Sequence, residues 1–207
     1  MFRALGTLAT LLPLLAAADV DARFAKLRDA ADPIQSLGAF IDKYLGDDCG
    51  SVLEGGGDCK KTAEAYRRQA NTKKYYMLIT EDSANMLSLG AYSPGTSDVT
   101  INLTPIFPGS SSAVTGGTPT HTDPNGNPVM PFVQMRGTLP DGWNAQMMGR
   151  MLQAGGMKMQ VVFTPQGQWA LSKKGGGTMK GVKAHIDAVL VTVGRTGEQV
   201  AIWINKG

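Results

Sequence analysis

MKMQVVFTPQGQWALSKKGGGTMKGVKAHIDAVLVTVGRTGEQVAIWIN, residues 157–205, is the stretch that decides the fold. Met159, Val161 and Phe163 alternate with polar neighbours, the signature of a strand with one buried face. Pro165-Gln166-Gly167-Gln168 reads as a reversal, after which Trp169 and Leu171 resume the alternation. Lys173 to Gly177 forms a second connection. Val182, Ala184, Ile186 and Ala188 then share one parity, whereas Val189, Val191 and Val193 occupy the other. Such a switch predicts a β-bulge, or a strand buried on both sides near its end. Gly194-Arg195-Thr196-Gly197 signals a hairpin into Val200, Ile202 and Ile204, with Trp203 on the opposite face. Four alternating runs joined by Gly-rich turns predict a mainly antiparallel sheet.

Upstream, strand periodicity covers 75–80, 86–92 and 99–103, and the short polar connections between these runs predict an antiparallel meander. Segment 105–131 is rich in Gly, Pro, Ser, Thr and Asn and is read as a long polar loop without a core element. A further strand is expected at 132–136. A short helix over 143–153 offers Met147, Met148, Met151 and Leu152 for burial, and Gly155-Gly156 stops it.

The N-terminus carries a positive Met1-Phe2-Arg3, an apolar run from Ala4 to Leu15, and Ala16-Ala17-Ala18. This is the pattern of an export signal cleaved after Ala18, too short to remain as a membrane span. The expected organisation is therefore a signal at 1–18, a helical segment at 19–74 and a β-rich region at 75–207, forming one compact unit. Helix one is expected over 19–31, capped by Asp19 or Asp21, with Val20, Phe24 and Leu27 on one stripe. Asp32-Pro33 reads as the start of helix two, which carries Ile34, Leu37, Ile41 and Leu45. Helix three runs from Asp58 or Cys59 to about Asn71, with Ala63, Tyr66 and Ala70 inward. Cys49 and Cys59 are the two cysteines of the chain and flank a Gly-rich loop; in an exported protein they pair as a disulfide.

The 26 glycines and 11 prolines disfavour a helical bundle. Twenty basic residues against 17 acidic ones give +3, and losing Arg3 with the signal leaves 19 against 17. That balance supplies no global field for nucleic acid. Local charge is different: Lys60, Lys61, Arg67 and Arg68, with Lys73 and Lys74 beyond, make helix three basic. This face reads first as a solvated surface and second as a docking patch for an acidic partner or anionic surface.

No complete catalytic constellation is visible. The Gly175–Gly181 segment lacks the Gly-Lys-Ser/Thr that opens a helix in a phosphate loop. His185 and Asp187 are close in sequence, but no nucleophile elbow accompanies them. Glu81 and Asp82 are adjacent in a turn and do not form an opposed acid pair. Asp123 to Asn127 has calcium-like spacing, yet Pro128 and Gln134 occupy the positions where an EF-hand needs Gly and Glu. Seven of the 11 methionines fall between Met130 and Met159. Thioethers at Met148, Met151, Met157 and Met159, with His121, would suit Cu(I); helical and strand spacing equally fits a core role.

These observations predict an α+β protein: N-terminal helices stapled by a disulfide and packed on a mainly antiparallel β-sheet or β-sandwich. The functional expectation is an exported, periplasmic or secreted bacterial protein with a non-catalytic binding or assembly role at the cell envelope, requiring no cofactor. Cu(I) binding and a hydrolase with a dispersed acid pair are the two alternatives.

Overall fold

The computed structural model of the chain describes residues 12–46, 49, 56–79, 86–103, 112–118, 129, 133–172 and 176–205. Its elements are α1 (Leu12–Asp29), β1 (Asp32–Pro33), α2 (Leu37–Leu45), α3 (Gly56–Ala70), β2 (Tyr75–Ile79), β3 (Leu87–Ser93), β4 (Asp98–Leu103), β5 (Ser112–Thr115), β6 (Val133–Thr138), α4 (Ala145–Gln153), β7 (Met157–Ser172), β8 (Thr178–Val193) and β9 (Gln199–Ile204). The strands form one mixed, mostly antiparallel sheet in the order β1-β2-β7-β8-β9-β6-β4-β3, with β5 added alongside β8.

The sheet is organised around the β7–β8 hairpin, as the alternation of 157–205 predicts. Ser172 pairs with Thr178 at the end of this hairpin, and residues 173–175, read as part of its connection, lie outside the described residues. The parity switch is a bulge: Phe163 faces Ile186 while the next residue, Val162, faces Ala188, which leaves Asp187 as the extra residue. The expected reversal at Pro165–Gln168 is corrected, because β7 runs unbroken through it. The shift between Pro165 and Gly167 is a second bulge, carrying Gln166. Proline is tolerated there since β2 ends its pairing at Phe163, so β7 has only one strand neighbour at that point.

The meander is also corrected. β3 and β4 form the expected hairpin, but β2 pairs with β7, near the other end of the sheet. Six strand steps separate β2 from β3. On a flat sheet that is roughly 29 Å at about 4.8 Å per step. The eight residue steps from Ile79 to Leu87 could span it only fully taut, at about 26–29 Å. The sheet therefore curls, and Met77 of β2 joins Leu87, Ile101 and Met135 in one core cluster. β6 meets β9 through the pair Gly137 and Ala201. A Cβ at Gly137 would sit 2.2 Å from the Val200 carbonyl oxygen, so only glycine permits the approach.

The helices cover both faces. Phe40, Ile41 and Tyr44 of α2 are buried in the main cluster, with the Phe40 ring 4.9 Å from Tyr75 and 5.8 Å from Phe163. Complete burial of side chains of this size stabilises the fold by about 1.5–3 kcal/mol each. Phe24 of α1 packs on the opposite face, against Val162 and Ala188, with Leu27 beside it. The expected cap at Asp19 or Asp21 is corrected: α1 begins at Leu12 and passes through both positions, because the Leu- and Ala-rich run before them is itself a strong helix former. Helix two is likewise corrected. Asp32–Pro33 is a short strand parallel to β2, since the residue before proline favours extended backbone, and the helix starts after Ser36, whose Oγ accepts from Ala39 N at 3.2 Å.

Cys49 and Cys59 are disulfide-bonded, with Cα atoms 5.5 Å apart, tying the exit of α2 to the first turn of α3. The segment read as a loop without a core element contains β5, in which Ala113, Val114 and Thr115 are buried. Three residues are too few for periodicity to register. His121, Asp123 to Asn127, Glu81, Asp82 and Met130 lie outside the described residues.

Candidate functional site

β7 occupies one edge of β8 along its whole length, from Ser172–Thr178 to Met157–Val193. The other edge is shared. β5 takes Lys180–Lys183 in parallel, and β9 takes Ala188–Thr192 antiparallel. Between them, Ala184 to Asp187 have no strand partner on that side among the described residues. A cleft of ≈ 350 Å³ opens at this interruption, lined by Gly116, Val133, Gln134, Gln166, Ala184, His185, Ile186, Trp203 and Asn205.

Asn205, just beyond β9, closes part of the gap. Its backbone N–H donates to Asp187 O at 2.9 Å, and its side-chain Nδ2 donates to Ile186 O at 3.3 Å. The same nitrogen lies 3.2 Å from His185 Nε2. This contact holds the imidazole against the end of β9. Gln166 enters the cleft because its bulge re-aims it, the usual consequence of an extra residue in a strand. Gln134 approaches from β6, its Nε2 3.3 Å from Asn102 Oδ1. Among the described residues, none lining the cleft is a Lys, Arg, Asp or Glu.

The neighbouring carboxylate is committed elsewhere. Asp187 accepts from Lys74 Nζ and, at 2.8 Å, from Thr164 Oγ1, with its side chain only 9% exposed. Its partners are thus a lysine and a threonine, not the His185 ring, and the sequence neighbours do not act as an acid–base couple. Among the described residues no three His, Cys, Asp or Glu side chains converge as a metal site would require.

The basic helix divides on inspection. Lys60 and Arg68 are exposed, and Lys61 faces Asp58 at 3.4 Å. Arg67 turns inward instead: its guanidinium donates to Tyr44 O at 3.1 Å, to Leu45 O at 3.4 Å and to Gln168 Oε1 at 3.1 Å. It thereby satisfies carbonyls left open at the C-terminal end of α2 and fastens them to β7. Lys73 pairs with Asp32 at 2.8 Å.

Met148, Met157 and Met159 are completely buried in the main cluster, and Met151 packs against it beneath Gly156. Their positions fit the core role that spacing allowed; His121, the remaining member of the copper set, is outside the described residues. Around α2, burial pushes the Tyr44, Tyr66 and Tyr75 hydroxyls above the ordinary tyrosine range. Tyr66 rises to about 12, helped by Tyr75 beside it. At Tyr44 the Arg67 charge and the hydrogen bond to Asn71 oppose the rise.

Sequence reasoning singled out His185 but not its companions. Asn205 and Gln166 look like ordinary polar residues at a strand end and in a turn. The one usable signal is the parity switch, which marks the bulge where Asp187 is the extra residue. Trp203, on the face opposite Ile202, flanks the cleft half-buried. No curated protein and no solved structure matches the chain. Residues 1–207 match the model of a family described as a family of unknown function (DUF6066), and the chain belongs to that family.

Proposed function

We propose that this chain is an exported bacterial protein that binds a ligand of the cell envelope in the β5–β9 cleft without transforming it. The observation that carries the reading is the cleft itself: neutral hydrogen-bonding side chains converge at a break in the β8 edge, while the nearby carboxylate is held by Lys74 and Thr164. Binding requires convergent polar groups and an accessible concavity. Acid–base chemistry requires a poised titratable pair, and His185 and Asp187 have separate partners. Export is supported by the charged and apolar leader ending in Ala16-Ala17-Ala18 and by the Cys49–Cys59 disulfide. Among the described residues no helix is long and apolar enough to cross a membrane.

Two measurements test this. Intact mass of the protein recovered from an expressing Gram-negative host should correspond to a chain beginning at Asp19 with its cysteines oxidised; retention of residues 1–18 on a cytoplasmic product refutes export. The mature protein should co-sediment with isolated cell envelopes, and Gly116→Phe should abolish this. A Cβ at Gly116 would stand 3.6 Å from both Ile186 and Val133, so the added ring starts at ordinary contact distance and fills the cleft. Unchanged sedimentation of a folded Gly116→Phe variant refutes binding at this site.

A further inference from the structure

We infer that the cleft recognises a neutral carbohydrate, one or two pyranose rings of a glycan. The inference rests on the binding role just proposed and specifies the ligand. Charge decides the first step. Among the described residues, the lining side chains that can hydrogen-bond are Gln134, Gln166, His185 and Asn205, with the indole of Trp203, and none is a Lys, Arg, Asp or Glu. Among the described residues, a phosphate or carboxylate ligand would meet no Lys or Arg in the lining with which to form the charge-assisted bonds that such groups need when desolvated.

Geometry decides the second step. A bare strand edge normally invites an extended peptide, which adds a strand through main-chain hydrogen bonds. Here the lane beside β8 is already occupied on both sides of the gap, by β5 against Lys180–Lys183 and by β9 against Ala188–Thr192. A peptide strand entering it would run into one or the other. Two of the acceptors it would use, Ile186 O and Asp187 O, are taken by Asn205. The space suits a compact ligand, and ≈ 350 Å³ is at the small end of the roughly 300–1,000 Å³ of small-molecule sites.

Chemistry decides the third. Side-chain amides donate and accept at once, as do the vicinal hydroxyls of a sugar, and the exposed Gln166 can bridge two of them. A half-buried tryptophan offers a flat apolar surface with a polar edge, matching a pyranose ring whose C–H face is apolar and whose rim is polar. Gln166 and Gln134 are exposed and approach from opposite sides of the gap, on β7 and β6. The Asn205 contact to His185 Nε2 at 3.2 Å keeps the ring oriented.

The test is titration of the mature, oxidised protein with cellotetraose, chitotetraose and maltotetraose, with a heparin tetrasaccharide as the anionic control, followed by tryptophan fluorescence and calorimetry. At least one neutral tetrasaccharide should bind with a Kd below about 1 mM. Gln166→Ala, which removes an exposed side chain and leaves the fold intact, and Trp203→Phe should each weaken it roughly tenfold. Neutral-glycan binding that both variants leave unchanged places the site elsewhere and overturns the inference, as does binding confined to heparin. If envelopes sediment the protein in a Gly116-dependent manner while all three neutral probes fail at about 10 mM, the carbohydrate inference falls and the binding site stands. Failure of both assays removes the two together.

Discussion

Gly181→Ala adds a single methyl group at the place where three strands and an indole meet. A Cβ at residue 181 would sit 2.2 Å from the Ala113 carbonyl oxygen and 2.6 and 2.7 Å from Cζ2 and Cε2 of Trp169. Neither neighbour can yield easily. Ala113 is backbone of β5, held in register by the pairing of Val114 with Val182, and Trp169 is only 5% exposed. One response keeps β5 docked and distorts the sheet, at the upper end of the about 1–3 kcal/mol usual for overpacking. The other lets β5 lift away, exposing Val114 at about 1.5–3 kcal/mol in lost burial. The molecule takes the cheaper course, so the expected loss is about 2–3 kcal/mol, read as a lowered urea midpoint at unchanged slope if β5 stays and a reduced slope if it leaves. Hydrogen exchange separates the two, because only lifting of β5 accelerates exchange at Ala113 to Thr115. Gly95→Ala is the control: no atom lies within 4 Å of its Cβ position, so it should be neutral or slightly stabilising. A Gly181→Ala protein as stable as Gly95→Ala would refute the close-approach argument for β5.

Lys74→Met should cost about 2–3 kcal/mol in chemical denaturation, below the full penalty for a buried pair because Lys74 is 37% exposed. The double variant with Asp187→Leu should recover much of that loss, and no recovery would mean the pair is not what stabilises the bulge. Opening the Cys49–Cys59 loop, by Cys49→Ser with Cys59→Ser, should lower stability by about 3 kcal/mol on the chain-entropy estimate, and an unchanged thermal midpoint would contradict it. Tyr44, Tyr66, Tyr75 and Tyr76 all titrate above their ordinary value of 10.0 in the folded chain, so the native state holds protons that the unfolded chain loses. Stability should therefore be insensitive to this group below pH 10 and decline as pH rises toward about 12, where Tyr66 ionises. Tyrosinate absorbance developing without any loss of near-ultraviolet ellipticity would refute that linkage.

Much of the architecture was legible because period-2 alternation survives wherever one sheet face is buried. Met159, Val161 and Phe163 point into one core and all are fully buried. The change of parity between Ile186 and Val189 reads as a bulge or as a strand buried on both sides, and the pairing with β7 selects the bulge. Misreadings arose where local chemistry has two solutions. Asp-Pro opens helices and also edges strands, and the hydrogen bond from Asp32 N to Lys74 O, formed across the sheet, selected the second. Pro165-Gln166-Gly167 carries turn chemistry, yet a bulge uses the same residues without reversing the chain, and Gly167 accommodates it at φ +152°. The cleft was least legible. Its side chains come from β6, β7, β8 and the end of β9, and no spacing rule links Gln134 to Gln166 or either to Asn205. The charges of helix three were visible in the sequence, but not that Arg67 would spend its guanidinium on the end of α2.

The division of the β8 edge between two strands bears on the order in which the molecule assembles. The β7–β8 and β8–β9 hairpins join neighbours in the chain and close with little loss of entropy, whereas the pairing of Val114 with Val182 brings together segments remote in sequence. Non-local pairing of this kind is slow, because a long loop must be closed before any contact rewards it. The cleft has β5 and the adjoining Gly116 on one side and β9 on the other, so it does not exist until the slowest of these pairings is complete. A chain that has made only its local hairpins still has no site, and recognition waits on a pairing between remote segments.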